Sequence, residues 1–271
     1  LLPRYNNIIM TDYEIINGDT LKIHILTSEV INDLLPRYNK IILHDNFNEL
    51  LPKLPDYVTH LTLGTYYNQP LPDFPSHLTH LILDSEYSEY NHPLPKLPIT
   101  LEHLCLSFDY NYPLPNELPP ALKYLKLSYY YNYPLSVLPI TLTELILSNY
   151  YNHPLTDILP PILTHLTLGY RFNQSLDSLP QGLLYLDIGS DYNQPLINLP
   201  NTLQTLIIGE KYNQTLDMLP DSIENLNIKF YKNKINKLPQ NLKKVFISKK
   251  YKYKNDLRLL KPNLSININK G

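Results

Sequence analysis

Three histidines and the single cysteine are the residues of this chain whose chemistry and spacing first suggest a site. His60, His80 and His103 each precede a Leu-x-Leu pair, and Cys105 lies inside the third pair. If each pair occupies a short strand, the imidazoles stand on neighbouring strands about 4.8 Å apart. Imidazole and thiolate are zinc ligands, and a cysteine beside a histidine can serve as an activated nucleophile. However, side chains along one rib of a sheet run parallel and do not converge on a centre. The spelling Thr-His-Leu-Thr-Leu also returns at His165 without a cysteine. No third group is placed to orient a base, and there is no glycine-rich phosphate loop, nucleophile elbow or supported carboxylate pair. The sequence therefore points to a non-catalytic chain with no metal site and no cofactor.

The elements that carry these residues are repeats. Leu61-Thr-Leu-Gly-Thr-Tyr-Tyr-Asn-Gln-Pro-Leu71 returns about every twenty residues, which is the signature of a solenoid. Leu-x-Leu pairs, or their Ile and Val equivalents, run from Ile41/Leu43 through Leu61/Leu63 and Leu145/Leu147 to Val245/Ile247. Successive strand residues point to opposite faces, so both leucines of a pair face one way and the residue between them the other. A unit this small cannot bury its apolar face alone, but stacked copies can. A Leu-Pro step, as in Leu97-Pro98 or Leu199-Pro200, closes each return, because proline cannot donate to a ladder. No segment has the apolar spacing of a long helix. The expected fold is a mainly β repeat solenoid: a right-handed, curved array with one short parallel strand per repeat, extended or 3₁₀-like returns, and few or no α-helices.

The repeat, with Tyr192-Asn-Gln-Pro-Leu196 and Leu199-Pro200 as a clear copy, resembles the FNIP repeat, a relative of the leucine-rich repeats. The resemblance spans roughly residues 37 to 255. It implies a leucine-rich-repeat-like fold and a binding role. FNIP repeats occur in proteins of amoebae and giant DNA viruses, often behind an F-box that links them to the ubiquitin pathway. Residues 1–36 show no amphipathic helices long enough for an F-box. They read as an N-terminal cap, with strands at Ile8–Met10 and Leu21–Ile25 and a short helix from Ser28 to Leu35 capped by Ser28. Residues 37–255 are the array and 256–271 a C-terminal cap, with Leu264–Ile268 as a last strand. About three residues are inserted near Ser85–Tyr90.

One cysteine fits a reducing compartment. No apolar run reaches membrane-span length and no signal peptide is visible. The expectation is a cytoplasmic protein that meets no membrane and no small-molecule substrate. Residues 1–220 hold 10 Lys and Arg against 22 Asp and Glu, a net of −12; residues 221–271 hold 13 against 3, a net of +10. An acidic body with a basic end suits either a solubilising cap, a self-assembling scaffold, or weak, salt-sensitive contact with nucleic acid through residues 229–254.

The repeat asparagines run on through Asn233 to Asn255, and the column Asn68, Asn91, Asn111, Asn132, Asn152, Asn173, Asn193 and Asn213 is expected to point into the stack and satisfy loop backbone groups. An inward Asn173 and Asn213 would make their Asn-x-Ser/Thr triplets unavailable to glycosylation. The Tyr/Phe column from Tyr67 to Tyr212 is expected to form an aromatic ladder whose hydroxyls reach the surface. Function belongs where the repeat lets residues vary, on the strand face opposite the leucines. There the chain offers His60 and Thr62, His80 and Ile82, His103 and Cys105, Tyr124 and Lys126, Glu144 and Ile146, His165 and Thr167, Tyr185 and Asp187, and Thr205 and Ile207. Solenoids use such concave faces to bind proteins, and a protein partner is the leading expectation.

Overall fold

The computed structural model describes residues 12–83 and 87–269. The expected segment Ile8–Met10 and part of the Ser85–Tyr90 insertion lie outside the described residues. An antiparallel hairpin opens the fold, formed by β1 (Tyr13–Ile16) and β2 (Thr20–Ile23). Parallel strands follow, one per repeat: β3 (Lys40–Leu43), β4 (His60–Thr62), β5 (His80–Ile82), β6 (His103–Cys105), β7 (Tyr124–Lys126) and β8 (Glu144–Ile146). β9 (His165–Thr167), β10 (Tyr185–Asp187), β11 (Thr205–Ile207), β12 (Asn225–Ile228), β13 (Lys244–Ser248) and β14 (Ser265–Asn269) complete a 14-stranded sheet in strict chain order. The fold is the expected curved β-solenoid. Leucine pairs with leucine across the central ladders, Leu61 with Leu81, Leu81 with Leu104, Leu104 with Leu125, and every one of these is buried.

Two β-turns per repeat fold the return. At the Leu-Pro step the proline carbonyl, its only backbone hydrogen-bonding group, accepts from the N–H three residues on. Val58 bonds Pro55 at 3.0 Å, Leu122 bonds Pro119 at 3.0 Å and Leu183 bonds Pro180 at 3.1 Å. Each of these donors is an apolar residue that the turn drives into the core. At the strand end the Tyr or Phe N–H reaches back to the Gly or Ser carbonyl, as in Tyr67 to Gly64 at 3.2 Å and Phe172 to Gly169 at 3.3 Å. Successive repeats come very close at this Gly/Ser position: a Cβ on Gly64 would lie 2.0 Å from the His44 carbonyl oxygen. In the middle repeats serine stands there instead, buried and capturing a carbonyl, Ser107 Oγ donating to Tyr90 O at 2.5 Å and Ser128 Oγ to Tyr110 O at 2.6 Å. The returns are extended and contain no helix between the described residues of β3 and Tyr253.

The aromatic column differs from expectation. Its rings are buried and stack at repeat spacing, Phe47 on Tyr67 at 6.0 Å and Tyr192 on Tyr212 at 6.3 Å. The hydroxyls do not reach the surface. Two of them serve the neighbouring repeat, the Tyr131 Oη accepting from Leu114 N–H at 3.1 Å and the Tyr151 Oη from Leu135 N–H at 3.3 Å, while the buried hydroxyls of Tyr67, Tyr90 and Tyr192 make no hydrogen bond within the usual distance and angle among the described residues. Burial pushes the phenols of Tyr67, Tyr110 and Tyr212 up to about 12. The loop backbone needs an interior donor or acceptor there, because a buried N–H left unpaired is costly.

The caps also carry corrections. The strand expected at Leu21–Ile25 is Thr20–Ile23, and its partner β1 was not anticipated. Its signal was Asn17-Gly18, both at positive φ (52° and 77°) in the connecting turn. The short helix is present, but Thr27 caps it, its Oγ1 accepting from Val30 N–H at 3.3 Å. It widens into a π-helical turn, Val30–Leu34, and then tightens into a 3₁₀ turn, Leu35–Arg37. Near the other end one α-helix, α1 (Lys254–Leu260), anchors through the buried Leu257, so Asn255 lies on a helix and does not extend the Asn column.

The aromatic column yields a stability prediction. Tyr131→Phe orphans the Leu114 N–H and should cost about 1–2 kcal/mol. Tyr131→Ala should cost about 3–5 kcal/mol. Urea unfolding midpoints would show this order; a Phe variant as stable as the parent would mean that the hydroxyl contributes nothing.

Candidate functional site

The strand face opposite the core carries two unbroken columns. In the first, Lys40, His60, His80, His103, Tyr124, Glu144, His165, Tyr185, Thr205, Asn225 and Lys244 are successive register partners. In the second the partners are Ile42, Thr62, Ile82, Cys105, Lys126, Ile146, Thr167, Asp187, Ile207, Asn227 and Phe246. The structure thus brings all sixteen candidate face residues, His60 through Ile207, onto one surface. Most are half-buried by their neighbours; His165 stands exposed.

The histidines stack face to face. The His60 and His80 rings are 4.1 Å apart at 9°, His80 and His103 are 4.2 Å apart at 11°, and Tyr124 continues the pile at 5.7 Å from His103. Ring faces therefore meet, while the in-plane nitrogen lone pairs stay parallel. No three His, Cys, Asp or Glu side chains among the described residues are grouped to hold a metal ion. A threonine orients three of these rings. The Thr79 hydroxyl reaches Thr59 O at 3.0 Å and His80 Nδ1 at 2.9 Å; Thr59 does the same for His60 and Thr164 for His165. A hydroxyl has one proton, and a carbonyl can only accept. Both contacts are satisfied when the proton lies toward the carbonyl and the imidazole donates from Nδ1, which leaves Nε2 as an acceptor. Burial lowers the His60 pKa, with Lys40 and His103 adding to the effect. Burial followed by His60 and His103 pushes His80 down to about 4. His60 and His80 are therefore neutral at neutral pH.

Asp187 sits in the second column between Thr167 and Ile207. Burial raises its pKa, although Gly189 N–H donates to Oδ1 at 3.0 Å and offsets part of that. The Asn column lies at the loop edge and not inside the stack: Asn68, Asn91, Asn111, Asn132, Asn152 and Asn213 are exposed, and Asn173 and Asn193 half-buried. The side chains run between repeats. Asn48 Oδ1 accepts from Asn68 N–H at 2.9 Å, and the same rung joins Asn68 to Asn91, Asn91 to Asn111, Asn152 to Asn173, Asn173 to Asn193 and Asn193 to Asn213. The inward orientation supposed for the Asn173 and Asn213 triplets does not hold.

A further set of residues was not anticipated. Tyr87, Phe108, Tyr129, Tyr130 and Tyr150 form an aromatic ridge in the turns beside the sheet. Phe108 stacks on Tyr129 at 4.6 Å, Tyr130 lies 5.1 Å from Tyr150, and the Arg171 guanidinium caps Tyr150 at 4.0 Å. Several of these rings border a cavity of about 470 Å³ whose other walls include Lys126 and Ile146 of the strand face. The signal was the run Tyr129-Tyr130-Tyr131. Only Tyr131 turns inward, so the two preceding tyrosines remain outside.

Short strands stacked in chain order, two turns per repeat and a ribbed outer face define a leucine-rich-repeat-like solenoid. The chain belongs to the FNIP repeat family, whose sequence profile matches residues 38–86, 110–150, 151–191, 175–211 and 192–231. Among solved structures it is similar to CroV588, described as a novel circular LRR protein, with 31% identity, a TM-score of 0.68, and coverage of 79% of this chain and 34% of that one. The chain thus spans about a third of that protein's length. It also shares its fold with YopM, a leucine-rich effector protein from Yersinia pestis, at 23% identity and a TM-score of 0.51, covering 79% of this chain and 72% of that one. No curated protein matches the sequence.

Two predictions come from the face. A histidine whose folded pKa lies below its unfolded value of 6.5 takes up protons on unfolding, so stability is lost as pH falls from 6.5 toward about 4. His80→Tyr keeps a ring in a column that already accepts Tyr124 and removes this titration. Its melting temperature should gain on the parent's as pH drops from about 7.5 to 5; parallel pH profiles would refute the assignment. For Asp187 the folded pKa exceeds 3.8, so the ionised carboxylate opposes folding above that pKa and ceases to do so below 3.8. Asp187→Asn should therefore be more stable than the parent at neutral pH, with the gap closing in acid.

Proposed function

We propose that this chain is a non-catalytic protein-interaction module that holds a protein partner across the strand face from β4 to β11. The observation that carries this reading is the unbroken two-column register of sixteen side chains. Aliphatic Ile82, Ile146 and Ile207 alternate there with imidazoles, tyrosines and isolated charges, the mixture of anchors and polar contacts that protein interfaces use. The backbone of the face is locked by its ladders, so binding costs little ordering entropy. The ridge of Tyr129 and Tyr130 extends the same surface over the turns, and tyrosine is favoured at interface centres. Where an F-box accompanies the repeats in the full protein, as the family resemblance implies, the face would present its partner for ubiquitination in the cytoplasm. No helix among the described residues is long and apolar enough to cross a membrane.

The test is affinity capture from a eukaryotic lysate with the parent, with Ile82→Glu plus Ile146→Glu, and with Ile197→Glu, an exposed residue in a return segment. Proteins retained by the parent and Ile197→Glu but lost by the face variant are the expected result. Identical capture by all three would place the contact elsewhere and sink the assignment of this face.

A further inference from the structure

The basic end contains a site of its own, separate from the sheet face assigned above. A cavity of about 380 Å³ opens between the turns that follow β12 and β13, and its walls include Lys229, Phe230, Lys232, Lys250, Lys252 and Tyr253. The turn after β12 is one residue short. Tyr231 follows Tyr212 by 19 positions instead of 20 and closes its turn on Ile228 O at 3.1 Å. The next turn is full length and closes from Tyr251 on Ser248 O at 3.1 Å. A short turn beside a full one leaves room between them. It also places Lys229 where earlier repeats have a buried Gly or Ser.

The floor of this cavity is rigid. The Tyr231 hydroxyl donates to Gln214 O at 3.0 Å and the Tyr251 hydroxyl to Asn233 O at 2.9 Å. Its rim is cationic and uncompensated. Nearby Lys234 pairs with Asp256 at 3.2 Å and Lys243 with Glu224 at 2.7 Å. Lys229, Lys232, Lys250 and Lys252 have no carboxylate within ion-pair reach among the described residues. Four like charges gathered around one cavity attract an anion and repel each other without one. The rings supply the second half of the chemistry: Phe230 is 44% exposed, and Tyr253 stands half-buried at the rim, edge-on to Tyr251 at 5.9 Å.

We infer that this cavity binds a nucleotide unit of single-stranded nucleic acid, its lysines holding phosphate and Phe230 with Tyr253 stacking on the base. Cationic grooves interleaved with aromatic rings are how proteins hold single strands, since every base has a π face. An acidic peptide would satisfy the lysines and leave the rings unused. A duplex would present phosphates and keep its bases stacked on one another.

The experiment measures fluorescence anisotropy of labelled oligothymidylate, about 12 nucleotides long, against the full chain. Competitors are AMP, the matching duplex and polyglutamate. The variants are Lys232→Glu plus Lys250→Glu, Phe230→Ala, and Lys123→Glu as a distant charge control, with melting curves confirming that each folds. The expected results are a log–log salt slope of about −2 to −3, a loss of at least about tenfold for the lysine pair, a loss of about 5- to 20-fold for Phe230→Ala, and no change for Lys123→Glu. Displacement by millimolar AMP would assign the site to free nucleotides, and resistance to AMP to the strand; either supports the site. Absence of binding at about 50 mM salt, a silent Phe230→Ala, equal binding of duplex, or displacement by polyglutamate would overturn it.

Discussion

Everything in this structure depends on one requirement: each repeat must have its polar backbone satisfied by the next while their leucines share a core. A strand of three residues has too few hydrogen bonds to stand alone. It persists because leucine sits on leucine through the sheet, so each strand is buried from both neighbours. The loops face the same problem without a regular ladder. They solve it with three side-chain columns that carry hydrogen bonds between repeats: asparagine amides at the edge, tyrosine hydroxyls inside, and serine hydroxyls at the strand ends. Each column links a repeat to its predecessor. Stability is therefore shared by nearest neighbours along the array, as in other solenoids.

Beside the core and the columns, two kinds of position near the sheet are free to vary. One is the outward face of the strands, where histidine, isoleucine, lysine and aspartate can follow one another without disturbing the leucines behind them. The other is the pair of residues inside each strand-end turn. There the chain places aromatic rings in the middle of the array, as at Phe108 and Tyr129, and lysines at its basic end, as at Lys249 and Lys250. The same backbone thus carries the mixed face proposed for a protein and the cationic, ring-lined cavity proposed for a nucleotide. The difference lies in side chains that the fold does not need. His60, His80 and the half-buried Asp187, whose charged forms are disfavoured by burial, carry a cost in stability, and such a cost is commonly found where a surface is kept for binding.

Much of this was legible from residue order. The period, the strand positions, the two face columns and the parallel stacking follow from Leu-x-Leu recurring about every twenty residues, because alternation alone assigns side chains to faces. The hairpin at Asn17-Gly18 was also legible, yet the irregular sequence around it hid the strand Tyr13–Ile16. The depth of the asparagines and of the tyrosine hydroxyls was not legible. An asparagine bonding a neighbouring N–H from the surface and one doing so from the interior have the same sequence. The aromatic ridge was concealed because Tyr129, Tyr130 and Tyr131 look alike until the turn sends only the third inward.

By itself the sequence determined the architecture: periodic leucines and prolines permit no other compact arrangement, since only stacked copies bury them. Tertiary structure alone decided how neighbouring copies meet. It set the stacking of His60, His80 and His103 with faces together, which keeps their nitrogens from converging on a metal ion. It set the space that opens as a lysine-lined cavity between the short turn after β12 and the full turn after β13. Those features depend on distances between residues about twenty positions apart, and a repeat pattern specifies that such residues are neighbours without specifying the space left between their side chains.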